Sequence, residues 1–172
     1  MSERIARVAL SRLSEPGDPR LAALVDQLGA NRVYQLLRDE EDLAGVYTDV
    51  AARLRGLDPE RELTQANARG IRFVCPEDDE WPSGLADLDR AEPVQKRGGA
   101  PLGLWAKGPL RLDEACLRSA ALVGSRSATS YGANVAGEIA AHLAGEGFTV
   151  VSGAAFGIDQ AAHRGALAAK GP

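Results

Sequence analysis

Two short apolar stretches in the last third of the chain each run into a glycine-containing loop and then into a helical pattern. The first covers residues 121–123 and leads into Gly124, and the second covers residues 148–151 and leads into Ser152 and Gly153. When such strands are parallel neighbours, both loops lie side by side at the carboxyl ends of the strands, where open α/β sheets bind ligands. Two successive units of strand, loop and helix therefore predict an α/β fold with a ligand site between the two loops.

The first part of the chain has apolar residues at helical spacing instead. Asp18 followed by Pro19 is typical of a helix start. The chain is therefore predicted to divide at about residue 70 into a small helical domain, residues 1–69, and an α/β domain, residues 70–172. Further helix signals are the end at Gly29, a cap at Asn31, and helical pieces around Leu43 and at residues 50–54 and 59–68.

Residues 28–31 join two of these helices, which is compatible with a helix-hairpin-helix (SAM-like) module. We expect it to serve in packing rather than in direct DNA contact, since the segment is acidic. Two strands are predicted further on, at residues 71–74 and 102–106. A later helix is predicted to pack on the sheet through the stripe Val135, Ile139 and Leu143, with Ala136, Ala140 and Ala144 beside them.

Composition narrows the function classes. The 172-residue chain has a net charge of −4, so any nucleic-acid site must be a local pocket rather than a broad basic face. No apolar run approaches the ~20 residues that span a bilayer, and the start lacks the core of a secretory signal. We therefore expect a cytoplasmic protein without membrane contact. Cys75 and Cys116 are far apart and only two histidines occur, so we expect reduced, mostly buried thiols and no metal.

The two loops lack the standard nucleotide-binding motifs. Gly124 is followed by Ser125 and Arg126 rather than by the G-x-G-x-x-G order of dinucleotide sites. The Gly-Lys-Ser/Thr of a Walker A loop is absent from the sequence as well. NAD and ATP are therefore disfavoured, and no cofactor is predicted.

The groups that the loops do offer suit a phosphate. Arg126 has a planar guanidinium that can grip phosphate oxygens in two places. Small hydroxyls and the N–H groups of a helix start lie nearby in the sequence, and glycines admit a close backbone approach. The predicted phosphate-binding or nucleic-acid-binding residues are Gly124, Ser125, Arg126, Thr129, Ser152, Gly153, Ala154, Phe156 and Gly157.

Three residues near the loops leave alternatives open. Tyr131 either stacks on a base or anchors a helix start on the core. Asp159 is expected to cap the helix after the second loop, with a catalytic carboxylate as the minority alternative. His163 lies one turn further along the same helix. It is expected to be a packed histidine, and the alternative of a catalytic pair with Asp159 is disfavoured because no nucleophile accompanies the two residues. No catalytic residue is predicted.

These motifs resemble the DNA-processing protein A family (DprA, also called Smf). The likeness covers the chain from about residue 70 to its end, and the paired loop motifs are its most specific part. The segments that carry it are Val123-Gly124-Ser125-Arg126 with Thr129 and Tyr131-Gly132, residues 147–159, Ala162-His163, Gly165-Ala166-Leu167, Asp79-Glu80-Trp81-Pro82 and Leu104-Trp105-Ala106-Lys107-Gly108.

The resemblance implies an extended, doubly wound Rossmann-like domain that binds single-stranded DNA. It further implies a protein that protects incoming DNA in natural transformation, helps to load a RecA-type recombinase, forms a homodimer and is not an enzyme. By position, Gly124, Ser125 and Arg126 match the Gly-Ser/Thr-Arg phosphate pocket of the family, with residues 152–159 as the neighbouring wall.

Family members continue past the point that corresponds to Pro172. That continuation holds more strands, a basic pocket residue, the dimer-forming surface and often a winged helix. We therefore expect an incomplete Rossmann-like sheet here, a homodimer only in full-length members, and marginal stability with weak DNA binding for this chain.

An enzyme is the alternative hypothesis. A nucleotide phosphoribohydrolase of the lysine-decarboxylase-like (LOG) type has a similar sheet with glycine-rich loops at its strand ends. Its Pro-Gly-Gly-x-Gly-Thr motif followed by Glu does not occur in the 172 residues. Release of adenine from AMP would distinguish this enzyme from a DNA-binding protein.

Overall fold

The computed structural model describes residues 1–13, 16–39, 56–94 and 97–171. Within these ranges the chain forms two compact units, Met1–Pro109 and Leu110–Pro172. Helices occur together with a small parallel sheet, in agreement with the predicted α/β class. The domain boundary near residue 70 stays a prediction. The helical pieces predicted around Leu43 and at residues 50–54 lie outside the described residues.

The first unit begins with helices α1 (Glu3–Ser11), α2 (Pro19–Leu28), α3 (Ala30–Arg38) and α4 (Pro59–Ala68). Asp18 caps α2 as predicted, because its Oδ1 accepts the Arg20 N–H at 3.0 Å. Gly29 ends α2 with a φ of +79°, in the left-handed region that glycine adopts without strain. Helices α1 to α3 enclose an apolar core that includes Ala6, Leu10, Leu21, Val25, Val33 and Leu37.

Helix α3 is capped by a residue of another helix. Glu3, at the start of α1, accepts the N–H of Ala30 at 2.8 Å and that of Asn31 at 3.1 Å, one with each carboxylate oxygen. The predicted cap at Asn31 is wrong, because α3 follows Gly29 directly and Asn31 lies inside its first turn. A carboxylate at this position satisfies unpaired N–H groups and faces the positive end of the helix dipole.

Two of the predicted strands pair with each other in the first unit. β1 (Ile71–Val74) runs antiparallel to β2 (Leu104–Lys107), which begins two residues later than expected. Phe73 lies opposite Trp105, and their ring centroids are 4.9 Å apart in an edge-to-face arrangement. A 3₁₀ helix, Ser83–Asp89, lies between the two strands along the chain. This sheet is separate from the parallel sheet of the second unit.

The two cysteines differ in exposure. Cys75 is buried as expected, and burial raises the pKa of its thiol to about 12, so that it stays protonated. Its backbone N–H donates to Asp78 at 2.9 Å, and Asp78 also pairs with Arg4 of α1. Cys116, in contrast, is exposed, so its predicted burial is wrong.

The second unit contains the predicted strand–loop–helix repeat. Its elements are α5 (Leu112–Leu117), β3 (Ser119–Ala121), α6 (Ser130–Gly145), β4 (Thr149–Val151) and α7 (Ile158–Ala168). Strands β3 and β4 are parallel, with Ser119 beside Thr149 and Ala121 beside Val151. β3 lies two residues earlier than predicted, and α5 was not predicted.

Alanines form the buried face of α6. Ile139, at the centre of the predicted apolar stripe, is 46% exposed. The helix lies so close to α7 that a Cβ atom on Gly165 would come within 2.1 Å of the Gly137 carbonyl oxygen. Since only small side chains fit at that separation, the alanines of the predicted stripe form the buried face. Leu143 packs against this core as a partly buried residue, whereas the predicted burial of Ile139 is wrong. The buried positions are Ala136, Ala140 and Ala144.

Replacing Glu3 with alanine is expected to lower the free energy of unfolding by about 1 kcal/mol, because α3 loses its cap. Urea denaturation followed by far-UV circular dichroism measures this change. The control, Asp26→Ala, removes an exposed carboxylate near the end of α2. There a negative charge opposes the helix dipole, so stability should stay equal or rise slightly. Equal losses in both variants would contradict the capping role of Glu3.

Candidate functional site

The two loops lie side by side at the carboxyl ends of β3 and β4, as the sequence predicted. We refer to residues 122–129 as the first loop and to residues 152–157 as the second loop. The Ser152 hydroxyl donates to the Leu122 carbonyl oxygen at 2.6 Å, and the Ile158 N–H donates to the Ser125 carbonyl oxygen at 3.1 Å. The structure therefore brings together the nine predicted site residues, which all lie in these two loops.

Two glycines allow this close contact between the loops. Gly157 has a φ of +84°, and a Cβ atom there would lie 2.3 Å from the Ser125 carbonyl oxygen. A Cβ atom on Gly124 would lie 2.8 Å from Cγ1 of Ile158. Both glycines thus have an internal packing role, whereas the sequence suggested that they make room for a ligand.

Asp159 joins the two loops and is not the helix cap that the sequence predicted. Gly157 holds the cap position, and Asp159 is the second residue of α7. Its side chain is buried, with the residue only 5% exposed, and its Oδ1 accepts the Gly124 N–H at 3.2 Å. Burial by itself would raise the pKa of Asp159, but hydrogen bonds from the Gly124 and Ala155 backbone outweigh it and lower that pKa.

Hydroxyl groups of the loops also have partners within the unit. Ser125 Oγ accepts the Ser127 N–H at 3.1 Å, and Thr129 caps α6 by accepting the Gly132 N–H at 3.2 Å. Because Ser125 and Thr129 act as acceptors in these bonds, their O–H protons can still donate to an anion. The Ser152 proton is directed to Leu122 instead.

Three large side chains project from the site into solvent. Arg126 is exposed and forms no ion pair within the described ranges of the chain. Tyr131 and Phe156 are 78% and 77% exposed, so the alternative of Tyr131 as a core anchor is wrong. Ala154 has a φ of +56°, a left-handed conformation that strains a residue with a Cβ atom and holds the second loop in a sharp bend.

The described residues give no support to a catalytic pair or a metal site. His163 is half-buried one turn along α7 from Asp159, and no hydrogen bond joins the two side chains in the described part of the chain. Among these residues no group of three His, Cys, Asp or Glu side chains could hold a metal ion. In the same ranges, the helices are too short or too polar to traverse a bilayer.

The sequence model of the family DNA recombination-mediator protein A matches residues 72–172, more than half of the chain. The chain belongs to this family. This assignment confirms the resemblance to the DNA-processing protein A family, and it favours a DNA-processing role in recombination over the nucleotide hydrolase.

Relatives in the family are longer than this chain. Proteins named DNA processing protein DprA, from two strains of Mycobacterium tuberculosis, are each 43% identical to it over 169 residues. The aligned region covers 94% of this chain and 42% of theirs, so the chain spans less than half the length of these curated relatives.

A solved structure is similar along nearly the whole chain. The X-ray structure of DNA processing protein A (DprA) from Streptococcus pneumoniae matches with a TM-score of 0.61 and 22% sequence identity. The match covers 99% of this chain and 56% of that one. At this identity the likeness concerns the fold, and it confirms the predicted class, a helical N-terminal part followed by a partial Rossmann-like parallel sheet.

Replacing Gly157 with alanine is expected to lower the free energy of unfolding by at least about 2 kcal/mol, because the new Cβ atom is both strained and in collision with the first loop. Urea denaturation followed by far-UV circular dichroism measures the loss. Gly145→Ala is the matched control, since Gly145 lies in α6 with nothing within 4 Å of its would-be Cβ atom. That variant should gain up to about 1 kcal/mol. Similar effects of both variants would contradict the packing role of Gly157.

The Asp159→Asn variant is expected to melt at a lower temperature than the wild type at neutral pH, because an amide cannot replace the charged acceptor. Since folding lowers the pKa of Asp159, its stabilising effect is present above the ordinary carboxyl value, about 4, and is lost as the pH falls through the lowered value. The difference in melting temperature should therefore shrink in acid. Glu138→Gln, at an exposed position of α6, controls for the lost charge. A difference in melting temperature that does not change with pH would refute the stabilising role of the Asp159 charge.

Proposed function

We propose that the two loops bind a phosphate group of single-stranded DNA and that Arg126 is the main cation. The observation that carries this proposal is an exposed, unpaired guanidinium at the carboxyl ends of two parallel strands, within the described residues. Its planar fork can donate two parallel hydrogen bonds to one phosphate. A contact of this charged kind contributes ~1.5–3 kcal/mol to binding.

Groups of the first loop assist the guanidinium in this proposal. The O–H protons of Ser125 and Thr129 are available as donors, and the N-terminus of α6 beside Thr129 favours an anion. We assign direct contact to Ser125, Arg126, Thr129 and Phe156. The other predicted site residues hold the loops in place without contacting the ligand: Gly124, Ser152, Gly153, Ala154 and Gly157.

We also propose the wider role of the family for a full-length member with this sequence. In that role the protein protects incoming DNA in natural transformation, helps to load a RecA-type recombinase, and acts as a cytoplasmic homodimer without enzymatic activity. Family membership and the DNA-processing names of the relatives support this proposal. Residues 1–69 and 70–172 would be its helical part and the start of its Rossmann-like part.

The Arg126→Gln variant is expected to bind oligothymidylate about 10- to 150-fold more weakly than the wild-type chain, because the charged contact is lost. Fluorescence anisotropy with a labelled oligonucleotide measures the affinity. Low ionic strength is required, because affinity for a phosphate backbone falls steeply with salt.

Lys107→Gln is the control for this experiment, because it removes the same charge from an exposed position in the first unit. It should leave the affinity nearly unchanged. Arg126→Lys should bind with intermediate affinity, since it keeps the charge but loses the planar fork. Unchanged binding by Arg126→Gln would exclude the proposed phosphate site.

A further inference from the structure

Phe156 is an exposed aromatic residue at a position where the backbone is well fixed. Phe156 is 77% exposed, although burial of its ring would contribute favourably to folding. The backbone on both sides is held in place: the Ala155 carbonyl oxygen accepts the Gln160 N–H at 3.1 Å, and the Gly157 carbonyl oxygen accepts the Ala161 N–H at 3.0 Å. The ring is therefore presented to solvent by a rigid loop.

The loop that carries this ring also lies against the backbone of Arg126. Gly157, the next residue, is so close to the first loop that a Cβ atom there would be 2.7 Å from the Arg126 carbonyl oxygen. A second exposed ring, Tyr131, lies in the first turn of α6, five residues after Arg126. Aromatic rings and a cation thus share one edge of the sheet.

We infer that Phe156 stacks on a base of the nucleotide whose phosphate contacts Arg126. This inference rests on the function proposed above and adds a contact with the base to the contact with the phosphate. Binding sites for single strands combine a cation for the backbone with rings for the bases, and every base offers a face for stacking. In a duplex both faces of each base are covered by neighbours, so the ring would favour single strands without reading their sequence.

The strongest alternative is that the exposed ring contacts a protein partner. A phosphate contact and a stacking contact can be separated with two probes of equal length. One is oligothymidylate of about 12 nucleotides, within the range of known single-strand site sizes, and the other is an abasic sugar–phosphate strand. Both carry the phosphates, but only the first offers bases.

The experiment measures the affinity of the 172-residue chain for both probes at low ionic strength. We expect Phe156→Ala to weaken binding of oligothymidylate about 5- to 150-fold and to leave binding of the abasic strand unchanged. Phe156→Trp should bind oligothymidylate at least as tightly as the wild type, whereas Phe156→Leu, which keeps an apolar side chain, should not restore binding. Leu167→Ala, at a 75% exposed position of α7, is the control and should change neither affinity.

Failure of this inference and failure of the proposed function give different results. If Arg126→Gln weakens binding of both probes but Phe156→Ala binds oligothymidylate as tightly as the wild type, stacking is refuted and the proposed phosphate site is retained. If Phe156→Ala weakens binding of both probes equally, stacking is also refuted, because the ring would then affect binding through the conformation of the loop. If Arg126→Gln changes neither affinity, the proposed function itself fails.

Discussion

One buried carboxylate holds the two loops of the second unit together. Asp159 belongs to the second loop's helix, yet it accepts a backbone N–H from the first loop. Backbone donors from both loops satisfy its negative charge and lower its pKa. The hydrogen bonds from Ser152 to Leu122 and from Ile158 to Ser125 join the same two loops. The contact is possible because Gly124 and Gly157 lack the side-chain atoms that would push the loops apart. Parallel pairing of β3 and β4 supplies the common edge.

The buried Asp159 carboxylate determines which groups of the two loops remain available to bind a ligand. The Gly124 N–H faces Asp159, so the loops do not present it to a bound phosphate. In the proposed phosphate site the contacts come mainly from side chains, and Arg126 and Phe156 are exposed. In the proposed site, the negative charge of Asp159 favours a phosphate position at the outer rim of the loops, near the guanidinium, over one between the strands.

The sequence predicts features that depend on neighbouring residues and misses those that depend on distant ones. The cap at Asp18 and the helix end at Gly29 are local, and the order of strands, loops and helices follows from apolar stretches. The cap of α3 comes from Glu3, 27 residues before Ala30, and no local pattern indicates it. The loop contact of Asp159 spans 35 residues in the same way.

The packing of α6 illustrates the same limit. The sequence indicates the stripe of alanines and larger apolar residues, but not the approach of Gly137 to Gly165, nor that Ile139 is exposed.

We propose that a strand of DNA places a phosphate on Arg126 at the edge of the two loops. A crystal structure of the chain with oligothymidylate tests this most directly. We expect a phosphate oxygen within about 3 Å of the Arg126 guanidinium nitrogens. A strand bound elsewhere, with that guanidinium still in solvent, would contradict it.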